Sequence, residues 1–216
     1  MSKPKPAPLP AGTVVGGYQI VKKLAAGGFG VVYQAYDHLL LRRVALKEYL
    51  PAALAAHGQD QSVVLRSQRH ADSYAKGLES FVNEARLLAR FDHPALVKVH
   101  RFWQANDTAY LVMEFIQGED LKHHLENGAR FSVRSSIVMV HDLLMALDHA
   151  HRQNVVHRDV KPANMLIEQS GRVKLTDFGV ARIQEPDETN LTQVGGAVGT
   201  PKYMSPEQAK GLRGDS

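Results

Sequence analysis

The sequence contains no cysteine, a single tryptophan and few aromatic residues, which make up 7% of its 216 positions. The absence of cysteine excludes disulfide bonds, zinc–thiolate sites and a thiol nucleophile. No apolar run approaches the roughly 18 residues that a membrane-spanning helix requires. Residues 1–12 are typical of a short disordered tail rich in proline, and they lack the apolar centre of a signal peptide. We therefore expect a soluble, cytoplasmic chain without a membrane segment.

The charges are nearly balanced, since 26 Lys and Arg stand against 22 Asp and Glu for a net charge of +4. So small an excess argues neither for nor against nucleic acid, and a solvated surface of mixed charge is the simpler interpretation. We therefore expect no nucleic-acid partner. Hydrophobic residues, at 44%, are ordinary for a globular protein, and the length allows one large domain or two small lobes.

The most concentrated group of charged and polar side chains lies between His157 and Asn164. Asp159 can accept a proton from an incoming hydroxyl group, and Lys161 can neutralise a transferring phosphoryl group. Asn164 offers an oxygen ligand suited to Mg²⁺. A solvated polar turn before a strand is the alternative interpretation. The segment matches the pattern H-R-D-x-x-x-x-N, and on this motif the chain resembles the protein kinases.

The resemblance implies an α+β, two-lobed protein-kinase-like fold, with a β-rich N-lobe that carries one key helix and an incomplete, mainly helical C-lobe. We place the N-lobe at 13–115 and the partial C-lobe at 116–216, which ends just after the S-P-E motif at Ser205–Glu207. Kinases continue with several more helices. In a C-terminally truncated chain, the apolar face of Ile137–Leu147 would lose its cover.

A glycine-rich run from Leu24 to Tyr33 separates two strand-like segments, of which the first is Tyr18–Val21. A tight hairpin there would let backbone amides approach phosphate oxygens, although an ordinary β-turn is the alternative. The run resembles the kinase loop G-x-G-x-x-G-x-V, except that Ala25 stands in place of the first glycine.

The strand Val44–Lys47 resembles the V-A-I-K motif, which implies that Lys47 grips the α- and β-phosphates of ATP. The resemblance pairs Lys47 with Glu84, on a helix that we predict to begin at Phe81. Residues 48–80 are predicted to form a partly ordered surface loop. K-E-Y-L-P followed by such a long connection resembles the bacterial Ser/Thr members of the family.

Two strands, Leu96–Phe102 and Tyr110–Phe115, are predicted to lead into the hinge that meets adenine. Asp120 lies where kinases often place a ribose-contacting acid, but an N-cap for the next helix explains it nearly as well. By resemblance, the ATP contacts are Gly27, Gly28, Phe29, Gly30, Val32, Ala45, Lys47, Met113, Glu114, Ile116, Asp120, Leu166 and Asp177.

The C-lobe sequence predicts a helix over Ser136–His151, with Ile137, Val140, Leu144 and Leu147 turned inward. A hairpin of Met165–Ile167 and Val173–Thr176 then leads to the D-F-G motif at Asp177–Gly179. The resemblance makes Asp177 the second magnesium ligand beside Asn164. It also packs Phe178 in a column with His157, Leu88 and Val99.

The segment Ile183–Val198 is polar and rich in glycine, as expected of an activation loop. In bacterial relatives an activating phosphothreonine occurs near the position of Thr192, with Thr189 as the runner-up, and its phosphate would pair with Arg158. A threonine without a role is the alternative.

The function implied is a Ser/Thr protein kinase that uses ATP and Mg²⁺ to phosphorylate protein hydroxyls, including its own loop in trans. Its catalytic residues would be Lys47, Glu84, Asp159, Lys161 and Asn164. The alternative is a catalytically silent nucleotide-binding or interaction module, a fragment of a longer kinase.

Overall fold

The computed structural model describes residues 8–58, 60–178, 182–183 and 201–206. These residues divide into two compact units. The N-unit consists of the chain up to Arg90 together with Lys98–Phe115, and the C-unit consists of Phe91–Val97 together with the chain from Ile116 onward. No helix among the described residues is both long enough and apolar enough to span a membrane.

The N-unit is built on an antiparallel six-stranded sheet in the order β1-β2-β3-β4-β8-β7. A separate hairpin, β5–β6, and one long helix, α1, complete it. The elements are β1 Val14–Val15, β2 Tyr18–Ala26, β3 Gly30–Asp37, β4 Arg42–Tyr49, β5 Ala55–His57, β6 Val63–Leu65, α1 Ala71–Leu88, β7 Val99–Ala105 and β8 Thr108–Glu114. The predicted strands at Tyr18–Val21 and Val44–Lys47 are confirmed within β2 and β4.

The centre of this sheet follows the alternation of its strands. Tyr33 and Ala35 of β3, and Val44 and Leu46 of β4, are completely buried. Their neighbours in sequence point to the opposite face, as the two-residue period of a strand requires. By the same period Glu48 shares the buried face with Val44 and Leu46, and its side chain is 0% exposed.

The buried Glu48 carboxylate is satisfied by two hydrogen-bond donors. The Tyr33 hydroxyl donates to Oε2 at 2.9 Å, and Nε2 of His57 lies 2.9 Å from Oε1. The Leu9 N–H in turn donates to the Tyr33 hydroxyl oxygen at 3.1 Å. Burial, followed by the nearby Glu48 charge, raises the pKa of Tyr33 well above its usual range. This cluster attaches the β5–β6 hairpin and the N-terminal segment to the sheet.

The prediction of a loop over 48–80 is wrong. Ala55–His57 and Val63–Leu65 pair as a hairpin, and α1 begins at Ala71 rather than at Phe81. The ring of Tyr74, in the added turns of α1, packs 5.1 Å from the ring of Tyr49. Exposed polar residues dominate these turns, so their sequence carries little helical periodicity, and the burial of Tyr74 holds them on the sheet.

The C-unit contains a three-stranded sheet in the order β12-β11-β9 and one long helix, α3. A second small sheet pairs β10 with β13. Its elements are β9 Gly118–Asp120, α2 Leu121–Glu126, α3 Val133–His151, β10 Val155–Val156, β11 Met165–Glu168, β12 Val173–Leu175 and β13 Arg182–Ile183. The hairpin predicted around Ser170 and Gly171 is confirmed by the pairing of β11 with β12.

The predicted long helix is present as α3, but the face assigned to the interior is wrong. Ile137, Val140 and Leu144 are 63%, 54% and 59% exposed, and only Leu147, the fourth predicted position, is half-buried. The buried positions of α3 are instead Asp142, Ala146 and Ala150. Small side chains on that face allow close packing on the strands, while the exposed apolar side chains line an open groove. Phe131, Ile137, Val140 and Leu144 are among the residues that line it, and no other described residue covers them.

Asp142 is buried at 2% exposure because Arg172 meets it with two hydrogen bonds, of 2.7 Å and 2.6 Å. The N–H of Val173 adds a third, of 3.1 Å. Burial raises the pKa of Asp142, but the bonds from Arg172 and Val173 outweigh that effect and leave the pKa below its ordinary value. This pair fixes α3 against the start of β12.

Replacement of Glu48 by Ala should lower the free energy of unfolding by about 3 kcal/mol, because Tyr33 and His57 lose their buried acceptor. Urea denaturation of both proteins measures the difference. The matched control is Glu79→Ala, an exposed glutamate on α1, which should change stability by no more than about 0.5 kcal/mol. A loss below about 1 kcal/mol for Glu48→Ala would show that the cluster does not hold the N-unit together.

Candidate nucleotide-binding and catalytic site

The segment between β10 and β11 brings three of the predicted catalytic side chains together. Nζ of Lys161 lies 2.6 Å from Oδ2 of Asp159. Nδ2 of Asn164 donates to the backbone oxygen of Asp159 at 2.8 Å and to Oδ2 at 3.1 Å. A short 3₁₀ turn over Pro162–Asn164 produces this return of the chain, and its proline fixes the backbone φ angle. The carboxylate of Asp159 is thereby held in one orientation.

His157 is 1% exposed and connects this loop to the strand that precedes the D-F-G motif. Its Nδ1 accepts the N–H of Asp159 at 3.3 Å, and its Nε2 lies 3.1 Å from the backbone oxygen of Thr176. Both contacts are satisfied by a neutral imidazole protonated at Nε2. Burial lowers the pKa of His157 and so favours that neutral form.

A second bond joins the same two segments, because the N–H of Thr176 donates to the backbone oxygen of Asn164 at 2.9 Å. Asp177 follows Thr176 directly in the chain. The bond therefore links the backbone of Asn164 to the residue just before Asp177. The ring of Phe178 packs 4.3 Å from that of His157, as predicted. Leu88 and Val99 belong to the N-unit, and their part in the column stays a prediction.

Two of the predicted site residues have left-handed backbone conformations. Arg158 has φ 62° and Asp177 has φ 58°. Residues other than glycine rarely adopt this backbone conformation, and its strain persists only where the surrounding structure enforces it. The bonds through His157 and Thr176 provide that enforcement.

The oxygen donors suited to a magnesium ion lie in the C-unit. The side-chain nitrogen of Asn164 is engaged with Asp159, and its other terminal atom, Oδ1, is a hard oxygen donor. The Asp177 carboxylate is of the same chemical kind, and both fit the preference of Mg²⁺ for oxygen ligands. Within the described ranges, no group of three or more His, Cys, Asp or Glu residues forms a metal site by itself. Magnesium commonly takes one or two protein ligands and completes its shell with phosphates and water.

The N-unit contains the second group of predicted residues. Nζ of Lys47, on β4, lies 3.6 Å from Oε1 of Glu84, on α1. The side chains are only 13% and 12% exposed, so solvent screens this ion pair less than an exposed one. Nζ of Lys47 also lies 5.8 Å from the centre of the Phe81 ring. The structure thus contains the Lys47–Glu84 ion pair that was predicted from the sequence.

The glycine-rich turn between β2 and β3 closes with the Gly27 N–H donating to the backbone oxygen of Gly30 at 2.9 Å. A Cβ atom at Gly30 would lie 2.0 Å from the backbone oxygen of Glu48, so glycine is required for the close approach of β3 and β4. Gly27 and Gly28 have open space around them, and Phe29 is 63% exposed. The sequence predicted phosphate contacts for these residues and missed the packing role of Gly30.

The residues predicted to meet adenosine lie in both units. In the N-unit, Ala45 pairs with Met113 across β4 and β8, and Glu114 ends β8. In the C-unit, Asp120 pairs with Leu166 across β9 and β11. Oδ1 of Asp120 also accepts the His123 N–H at 2.9 Å, which is the N-cap role given as the alternative. A contact of Asp120 with ribose stays a prediction.

The predicted regulatory threonines, Thr189 and Thr192, lie outside the described residues, as do Gly179 and Glu207. Arg158, the predicted partner of a phosphothreonine, is described and half-buried.

Comparison with known families agrees with this geometry. The model of the protein kinase domain matches residues 18–214. The chain belongs to the protein kinase family. This confirms the resemblance first indicated by the catalytic-loop motif, together with the expected kinase fold.

The kinase domain is similar to bacterial Ser/Thr kinases. It is 39% identical to serine/threonine-protein kinase PknA of Mycobacterium tuberculosis strain H37Rv, over 92% of this chain and 43% of that protein. It is 37% identical to serine/threonine-protein kinase pkn2 of Myxococcus xanthus, over 93% of this chain and 22% of that protein. The chain therefore spans less than half the length of these curated relatives.

A solved structure, described as the apo form of PpkA-294, resembles the kinase domain with a TM-score of 0.71. The two chains are 38% identical, and the similarity covers 80% of this chain and 62% of the other. This similarity agrees with the kinase fold.

Two buried polar groups, Glu48 in the N-unit and Asp142 in the C-unit, were missed from the sequence. The burial of Glu48 could have been inferred from the period of β4, because the residue alternates with Val44 and Leu46. Asp142 offered a weaker signal, a lone carboxylate among the apolar residues of a predicted helix. Its partner Arg172 is distant in sequence, and nothing in the local pattern indicates their pairing.

Stability of the kinase domain should fall as the pH is lowered below about 6.5, partly through His157. The unfolded chain takes up a proton there, whereas the folded form with its lowered pKa does not. Each such group contributes up to about 1.4 kcal/mol per pH unit. The His157→Phe variant should therefore show a shallower loss between pH 7.5 and 5.5 in urea denaturation.

His93 and His100 also have pKa values lowered by burial and contribute with the same sign. They are present in both proteins, so the difference in slope isolates His157. Equal slopes would mean that His157 is protonated as readily in the folded state as in the unfolded state.

Proposed function

We propose that the chain is the catalytic part of a serine/threonine protein kinase, which transfers the γ-phosphoryl group of ATP to protein hydroxyls. The observation that carries this proposal is the arrangement of Asp159, Lys161 and Asn164 within hydrogen-bonding distance in one loop. Membership of the kinase family and the names of the relatives support it.

In the proposed reaction, Asp159 orients the hydroxyl of a Ser or Thr side chain and accepts its proton. A bond forms between that oxygen and the γ-phosphorus of ATP, while the bond from the γ-phosphorus to the bridging oxygen breaks and ADP leaves. Lys161, beside Asp159, offsets the negative charge on the transferring group. The protein contributes chiefly position and electrostatic stabilisation.

Lys47 is proposed to hold the α- and β-phosphates, and Glu84 to keep the lysine in place. The glycine-rich turn and the residues predicted around adenine would complete the nucleotide contacts. Asn164 and Asp177 would hold Mg²⁺, which supplies positive charge against the phosphates when bound. These assignments rest on the family pattern and on the positions of the residues within each unit.

The activation loop is proposed to be phosphorylated by a second copy of the chain, at Thr192 or, failing that, at Thr189. The new phosphate would pair with Arg158, next to the catalytic aspartate in sequence. Coupling of this kind would link the phosphorylation state of the loop to the geometry of Asp159. A rate of autophosphorylation that rises with protein concentration would support transfer in trans.

The test is a γ-phosphate transfer assay on residues 1–216 with Mg-ATP, followed by mass spectrometry of the loop. We expect phosphate at Thr192 or Thr189, and a loss of about 10²- to 10⁴-fold in the Asp159→Asn variant, because the proton acceptor is removed. The matched control is Asp148→Asn, an exposed aspartate on α3 paired with Arg152, which should retain the rate.

Absence of transfer combined with a rise of melting temperature on ATP addition would contradict the proposal in favour of the alternative, a silent nucleotide-binding module. Equal rates for the wild type and Asp159→Asn would assign the phosphate transfer to a contaminating kinase. Absence of both transfer and thermal shift would reject nucleotide binding by this chain.

A further inference from the structure

A tyrosine hydroxyl occupies the space next to a helical glycine close to the Lys47–Glu84 pair. Tyr49, the last residue of β4, is 3% exposed, and its hydroxyl donates to the backbone oxygen of Tyr74 at 3.3 Å. A Cβ atom at Gly77 would lie 2.1 Å from that hydroxyl oxygen and 3.0 Å from Cζ of the same ring. Only glycine leaves room for the hydroxyl at this position.

Gly77 lies inside α1, where glycine is less favourable than alanine for helix stability. Its φ is not in the left-handed region, so no backbone conformation requires glycine here. The contact with Tyr49 is therefore the physical reason for the residue. It lets α1 approach β4 more closely than any other residue at position 77 would allow.

A continuous series of contacts leads from this point to the ion pair. The Tyr49 ring packs 5.7 Å from the Phe81 ring, and Nζ of Lys47 lies 5.8 Å from the Phe81 ring. Glu84 follows on the same face of α1, since residues three and four apart in a helix are neighbours. Its Oε1 lies 3.6 Å from Nζ of Lys47.

The other side of the tyrosine pair is fixed to the turn between β7 and β8. The Tyr74 hydroxyl donates to the backbone oxygen of Asp107 at 2.8 Å. The Thr108 hydroxyl donates to the backbone oxygen of Tyr49. The first bond holds α1 to the sheet, and the second holds the backbone of Tyr49. The Tyr49 ring also packs on the rings of Tyr74 and Phe81, so a side chain added at Gly77 would disturb the packing of α1 on β4.

We propose that the absence of a side chain at Gly77, opposite the Tyr49 hydroxyl, permits the spacing of α1 and β4 at which Glu84 meets Lys47. Gly77 is a positioning residue, which acts on the nucleotide through that ion pair. The catalytic consequence rests on the proposed function of Lys47 and Glu84. The structural consequence, a loss of the ion pair when the spacing increases, does not depend on it.

The first test is the Gly77→Ala variant in the phosphate transfer assay. Because the added methyl group meets the buried Tyr49 side chain and separates α1 from β4, kcat/KM for ATP should fall by about tenfold to a hundredfold. Adding Tyr49→Phe to this variant removes the hydroxyl, which makes the shortest of the clashing contacts, and should restore part of the activity, since Cζ of the ring remains 3.0 Å from the added Cβ atom. Tyr49→Phe alone should stay within about threefold of the wild type, because it removes one hydrogen bond and leaves the space beside Gly77 open.

The control is Lys76→Ala, which changes the neighbouring exposed position in the same turn of α1 and should leave the rate unchanged. Rescue by Tyr49→Phe shows that the loss comes from the contact with the Tyr49 hydroxyl, because damage to α1 of any other origin would not be relieved by removing that group. Wild-type activity in Gly77→Ala, or a loss that Tyr49→Phe does not relieve, would overturn the proposal.

The second test measures the ion pair without reference to catalysis. Melting temperatures of Lys47→Met, Glu84→Gln and the double variant reveal whether the two side chains stabilise the fold non-additively. This coupling should be present in the wild-type background, weakened with Gly77→Ala, and partly restored when Tyr49→Phe is added. An unchanged coupling in the Gly77→Ala background would overturn the proposal.

The two tests keep the proposals distinguishable. If wild-type protein transfers no phosphate but the thermal coupling follows the expected pattern, the proposed function fails and the positioning contact stands. If wild-type protein is an active kinase but the coupling is insensitive to Gly77→Ala, the positioning contact fails and the proposed function stands.

Discussion

The catalytic geometry of the C-unit depends on the two hydrogen bonds of the neutral His157 imidazole. It accepts the N–H of Asp159 through one ring nitrogen and donates to the backbone oxygen of Thr176 through the other. An imidazolium cannot make both bonds, because it has no acceptor nitrogen. Burial of the ring lowers the pKa of His157 and so disfavours the imidazolium form. The ring also packs against that of Phe178.

In the N-unit, a buried carboxylate, that of Glu48, has a similar structural role. Glu48 follows Lys47 in β4, so adjacent residues of one strand carry opposite charges toward opposite faces. Lys47 meets Glu84 of α1, whereas Glu48 is enclosed with Tyr33 and His57. The strand that carries the predicted phosphate-binding lysine is thereby attached on both faces, to the helix on one side and to the β5–β6 hairpin on the other.

Where the prediction from sequence went wrong, burial patterns were decided by residues distant in the chain. The sequence of the first turns of α1 is typical of a surface loop, because only one of their residues, Tyr74, is buried among exposed polar ones. The ring of Tyr74 packs against that of Tyr49. In α3 the apolar residues Ile137 and Val140 suggested the buried face. The structure buries Asp142 on the other face because Arg172 satisfies its charge. Periodicity counts apolar residues and cannot register such a pairing.

The sequence by itself determined the family, the order of the principal elements and the identity of the candidate catalytic residues. It could do so because phosphoryl transfer requires particular side-chain types at short spacings, and the catalytic loop from His157 to Asn164 contains them in one run. Only the tertiary structure decided where α1 begins, which face of α3 is buried, and why Gly77 and Gly30 are glycines. Those features depend on close contacts between segments that are far apart in sequence. Such contacts produce no periodicity or motif in the local sequence.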